Sequence, residues 1–222
     1  HAPYDLVNAL AELAEALRAQ DRPVETETIL QEALAVARAL ENPRPLITLL
    51  NNAGYIAYTR GQFEAARRYY EEGLGLARQT GDRRMEAFLL LGLADLAREE
   101  EQHAEALAAY RAALAIAREI PHDFLIAYGL EGMGRTLRLQ GEPQQALPVL
   151  REAPRLGLRP LAAVAALSQG MAELEAGWVL EGLSRMAPAL EHLEGADAAT
   201  RVWAHFLLAR AYFQTHRLQD AL

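Results

Sequence analysis

A small residue returns along this chain at a nearly constant interval. The positions are Ala14, Gly54, Ala94, Gly134, Gly170 and Ala209, spaced by 40 residues three times and then by 36 and 39. Twelve residues beyond each stands another small or short residue: Thr26, Ala66, Ala106, Ala146, Gly182 and Ala221. Four further on comes a large one, Leu30, Tyr70, Tyr110, Leu150 or Met186. Seven beyond the second marker lies Ala33, Gly73, Ala113, Ala153 or Ala189. Self-similarity at a fixed period of this length builds a chain of like units, each burying its apolar face on its neighbours. Small residues at fixed places let two antiparallel helices approach closely, and the large residues fill the space between successive pairs.

Punctuation between the apolar stretches gives the helix limits. Pro3, Pro23 and Pro143 suit the first turn of a helix, where a missing N–H is harmless. Gly81 is placed as a C-terminal cap, while Asn42-Pro43-Arg44-Pro45 and Pro121 break the pattern. The helix pairs expected are 3–40, 43–80, 82–120, 121–155 and 160–194, with an incomplete sixth over 197–222 whose first helix ends near Thr215. Pro148 and Pro188 fall inside second helices, where proline removes an intrahelical bond; a local change of pitch is expected there. The open sixth pair and the first residue, His1, lead to the expectation of a piece of a longer polypeptide.

These residues resemble the tetratricopeptide repeat, with a small residue in its first helix, Gly or Asp at the turn, and small-large-small in its second. Asp21, Gly61 and Gly141 match the turn, whereas Glu101 and His216 depart from it. Leu17, Ala57, Ala97 and Leu137 stand where the family carries a tyrosine, and its closing proline is missing. The 40-residue period is similar to the long repeats of MalT-like bacterial transcriptional regulators. The resemblance covers nearly the whole chain and implies an all-α right-handed solenoid, a single module over 1–222. It also implies a protein- or peptide-binding role in the sensor or scaffold region of a bacterial signalling or transcriptional regulator.

Composition narrows the partners. With 30 acidic residues against 22 basic, all of the latter Arg, the net charge is −8, which disfavours direct nucleic-acid binding. Cysteine is absent, so disulfides and thiolate metal sites are excluded and a cytoplasmic setting is expected. No apolar run is long enough for a membrane span. The six histidines lack ligand spacing, the two serines lack a nucleophile elbow, and Gly73-Leu74-Gly75 lies in an expected helix without a preceding strand. No metal, no cofactor and no enzyme activity are expected.

The family's ligands lie along the first helices of the pairs, so the outward face of those helices supplies the candidates. They are Asn51, Tyr55 and Tyr58 in the second unit, Asp95 and Arg98 in the third, and Tyr128, Glu131, Arg135 and Arg138 in the fourth. Tyrosine offers area with few rotatable bonds, and Arg grips a carboxylate with two hydrogen bonds. A structural alternative stays open, in which Arg98 pairs with Asp95 or Glu131 and the tyrosines pack between units. Trp203 and Phe206 are candidates for a contact with another part of the polypeptide or with a second copy, so self-association is the alternative function.

Overall fold

The computed structural model describes residues 2–20, 22–153, 159–193 and 198–219. The described residues form eleven helices and no strand. Chain contacts divide them into two compact units, 1–96 and 97–222, with the boundary inside one helix. The fold class is an all-α solenoid of helix pairs.

The first unit holds α1 (Ala2–Ala19), α2 (Pro23–Arg38), α3 (Arg44–Thr59), α4 (Phe63–Thr80) and most of α5 (Arg83–Glu99). α1 packs on α2 and α3 on α4, while α1 also meets α3. Its core joins Val7, Leu10, Leu30, Leu34, Leu50 and Ile56, each fully buried side chain contributing roughly 1.5–3 kcal/mol. α3 starts at Arg44 with proline in its first turn.

The second unit holds α6 (His103–Glu119), α7 (Asp123–Leu139), α8 (Pro143–Glu152), α9 (Arg159–Glu175), α10 (Val179–Glu191) and α11 (Ala198–Gln219). α7 packs on α6, α8 and α9; α9 packs on α10 and α11. α8 and α10 continue through Pro148 and Pro188 and are the shortest helices, at 10 and 13 residues. α11 runs through His216 to Gln219, so the turn expected near Thr215 is not made. The turn position there holds His216, where three earlier pairs hold Gly61, Gly141 and Gly177. Asp21 and Ala221 of the sequence pattern lie outside the described residues. Among the described residues no helix is long and apolar enough to cross a membrane.

The turns within pairs share one device. Gly61, Gly141 and Gly177 have φ of +72°, +84° and +90°, and the next N–H reaches back to a carbonyl five residues earlier. Gln62 thus donates to Ala57 at 2.9 Å, Glu142 to Leu137 at 2.9 Å and Trp178 to Glu173 at 2.7 Å. This left-handed cap closes one helix and reverses the chain into the next. At the third pair Glu101 takes the same conformation, φ +60°, and Gln102 donates to Ala97 at 2.8 Å.

Candidate functional site

In the first unit the candidates sit on α3 and α5. Tyr55 is 48% exposed, and the guanidinium of Arg18 on α1 lies 5.9 Å from its ring centroid. Arg18 is held by Glu15, whose Oε2 accepts from Arg18 Nε at 2.9 Å. Asn51 and Tyr58 are half-buried, and Tyr58 lies 6.1 Å from Phe63, ring centroid to centroid. Asp95 is buried. Beneath them is Tyr70, whose phenol is pushed far above its ordinary pKa by burial first and then by the charge of Asp95 and the neighbouring Tyr58 and Tyr55. The accessible part of this patch is therefore Arg18 and Tyr55, with Asp95 set under it.

The second unit gathers more charge. Arg98 is buried and donates from Nη1 to the Tyr110 hydroxyl at 2.7 Å and from Nη2 to Glu99 at 3.1 Å. Glu131 is buried and accepts the Ser168 hydroxyl at 2.7 Å, with Arg135 Nε 3.7 Å away. Arg138 donates to Glu175 at 2.8 Å, and Arg210 of α11 stands 3.9 Å from the same carboxylate. Arg135 lies over the ring of Trp203 with 4.7 Å to the centroid. The Nε atoms of Arg135 and Arg138 are buried without a hydrogen-bond partner among the described residues. Tyr128 is half-buried and stacks on Phe124 at 5.9 Å.

Asp95, Arg98, Glu131 and Arg138, four of the nine residues expected to line one groove, are buried. Helical face counting gives the direction of a side chain but not what stands over it. Here Tyr110, Ser168 and Glu175 reach in from neighbouring helices and take up those groups. Trp203 is also turned inward, against Arg135 and the core of α9, α10 and α11, whereas Phe206 stays 63% exposed. Ser168, Glu175 and Arg210 belong to this cluster. Ser168 and Glu175 sit at −2 and +5 from the repeating small residue Gly170, offsets that counting at −3, +1 and +4 passes over. Among the described residues no group of His, Asp or Glu is placed to hold a metal ion.

The family model for the tetratricopeptide repeat matches residues 5–79 and 85–155. The chain belongs to the tetratricopeptide-repeat family. Solved structures share the fold at low identity. BtubC (BKLC) from P. vanneervenii is 16% identical with a TM-score of 0.74, over 86% of this chain and 81% of that one. A signal transduction ATPase with numerous domains (STAND) that has a tetratricopeptide repeat sensor, from Pyrococcus horikoshii, is 14% identical with a TM-score of 0.72. That match covers 94% of this chain and 33% of that protein. PilF of Pseudomonas aeruginosa is 13% identical with a TM-score of 0.68, over 100% and 96%. No curated protein matches in sequence. Tetratricopeptide repeats are in general protein-interaction modules.

Proposed function

We propose that this chain is the protein- or peptide-binding region of a bacterial signalling or transcriptional regulator, acting as its sensor or scaffold in the cytoplasm. The observation that carries the binding role is Arg135, stacked at 4.7 Å on Trp203, with the Glu131 carboxylate 3.7 Å from its Nε. A guanidinium fixed on an aromatic face is already ordered, so its remaining N–H groups meet a carboxylate at little entropic cost. Tyr55 with Arg18 is the corresponding surface of the first unit. In a regulator, a partner held there would bias two states of the whole protein only by binding them with different affinity.

Capture from source-cell lysate tests the binding role. Arg135→Ala and Tyr55→Ala should each lose a partner that the parent chain retains, and an unchanged set of captured proteins in both would sink it. The regulator role draws on the likeness to the STAND protein, of which this fold is a third. An antibody against these residues should find a polypeptide far larger than 24.5 kDa in source cells; a species of that size alone would remove the regulator role.

Self-association is the second reading, favoured by Val202 and Phe206 on α11, which are 69% and 63% exposed. Trp203 is engaged by Arg135, so Phe206 is the residue to change. Phe206→Ala should dissociate an oligomer seen by sedimentation, and a monomeric parent chain would end that reading.

A further inference from the structure

The 80-residue register makes α2 and α4 of the first unit equivalent to α6 and α8 of the second. Arg38 pairs with Glu72 at 3.0 Å, and Arg118 with Glu152 at 3.0 Å. Leu34 and Leu50 correspond to Leu114 and Leu130, all buried. Within this matched frame the residues around the gap differ at four positions, where Arg111, Met133, Pro148 and Val149 stand for Gln31, Ala53, Arg68 and Tyr69. In the first unit Tyr69 packs on the core and its hydroxyl accepts from Gln31 Nε2 at 2.8 Å. The side chain thus spans the gap between α2 and α4. In the second unit the same positions hold Val149 and Arg111. Valine cannot span the gap, and a notch of about 360 Å³ is left, floored by Leu114, Leu130, Met133 and Val149. Arg111 and Arg118 stand at its rim. Arg118 is engaged by Glu152, whereas Arg111 is exposed and has no ion pair or hydrogen bond among the described residues.

We propose that this notch is a docking site for an aromatic side chain of a partner protein, carried in an acidic segment whose carboxylate meets Arg111. The occupant does from outside what Tyr69 does from within. The apolar floor desolvates a ring, the usual anchor of an interface. The change from the amide of Gln31 to a guanidinium changes the matching group from a hydroxyl to a carboxylate, which Arg binds with two charge-assisted hydrogen bonds. With a net charge of −8 the chain as a whole repels an acidic segment, so recognition must come from this local pairing. The site lies between α6, α7 and α8 and includes neither Arg135 nor Tyr55.

The probe is an acetylated, amidated pentapeptide, Asp-Asp-Phe-Glu-Asp, followed by methyl NMR on the whole chain. The methyl signals of Leu114, Leu130, Met133 and Val149 should shift and saturate with a Kd of about 1 mM. Replacing Phe by Ala, or the acids by Lys, should weaken binding about tenfold or more. Arg111→Gln combined with Val149→Tyr restores the first unit's Gln–Tyr pair across the gap and should abolish the shifts while circular dichroism stays helical. Arg111→Glu leaves the floor intact and should reverse the preference toward the Lys peptide. That exposed change keeps the test decisive should the double variant not fold. No shifts with the acidic peptide, equal binding of the acidic and Lys peptides, or retained binding by the filled notch would overturn the proposal. So would 3-phenylpropionate binding as tightly as the peptide, since the occupant would then be a small acid.

Discussion

The ring of Tyr70 lies against Gly54 so closely that a Cβ on Gly54 would stand 2.4 Å from its Cε1. The same ring leaves only 2.6 Å, at Cζ, for a Cβ on Gly92 of the next odd helix. One tyrosine is thus clasped between two glycines. The second unit repeats half of this, with Tyr110 against Gly132 at 2.4 Å. The absence of a side chain at Gly54 is what admits a ring at Tyr70.

Gly54→Ala should therefore destabilise the chain by about 1–3 kcal/mol, as overpacking does. Combining it with Tyr70→Leu recreates the pair that the first repeat uses, Ala14 with Leu30, both buried. The two changes should couple favourably by about 1 kcal/mol or more in urea denaturation. Strict additivity would mean that the ring is free to move aside. Gly75→Ala serves as contrast: a Cβ there meets nothing within 4 Å, so the substitution should stabilise by up to about 1 kcal/mol.

Glu101 holds a left-handed backbone that glycine holds at Gly61, Gly141 and Gly177. For an L-residue that conformation costs about 1–2 kcal/mol. Glu101→Gly should recover roughly 1 kcal/mol, less the entropy glycine adds to the unfolded chain. A rise in the urea midpoint at unchanged slope would show it; a fall would mean that the glutamate side chain stabilises the turn by more than its strain.

The helices and their turns were legible because the pattern that specifies them is local. A small residue, a turn residue and a large residue at fixed offsets are each read within one repeat. Gly92 and Gly132 were not read, because their meaning lies in Tyr70 and Tyr110, twenty-two residues earlier on another helix. Burial of Asp95, Arg98, Glu131 and Arg138 escaped for a similar reason. Outward direction on a helix is a property of that helix, while depth depends on what Tyr110, Ser168 and Glu175 do from elsewhere. Trp203 and Phe206, three apart on α11, looked alike in the sequence. Arg135 and the core of α9, α10 and α11 separate the covered one from the exposed one.

Tyr70 also carries a pH prediction. Its pKa is raised in the fold, above an unfolded value of about 10, chiefly by burial and then by Asp95. The folded chain keeps a proton that the unfolded chain loses, so this contribution is fully present below pH 10 and is lost as pH rises beyond it. Denaturation of the parent chain should become steeply easier between about pH 10 and 11. Tyr70→Phe, which has no proton to lose, should show a smaller decline. Equal slopes for the two would remove Tyr70 as the cause.

Glu173 is the most deeply placed carboxylate paired with an exposed cation. It is 1% exposed, takes the Gln169 amide at 2.8 Å and receives Arg185 through Nε and Nη2, both at 2.9 Å. Arg185→Ala strands that charge beneath α10 and should destabilise the second unit by about 3–5 kcal/mol. Much of this is the penalty of an unmatched charge and not the net worth of the pair. Adding Glu173→Leu should therefore return most of the loss, since an apolar side chain of similar volume leaves nothing to desolvate. Thermal unfolding of the single and double variants separates the two accounts. If the double variant is less stable than Arg185→Ala alone, the carboxylate is held mainly by Gln169 and surrounding dipoles, and the pair with Arg185 is incidental.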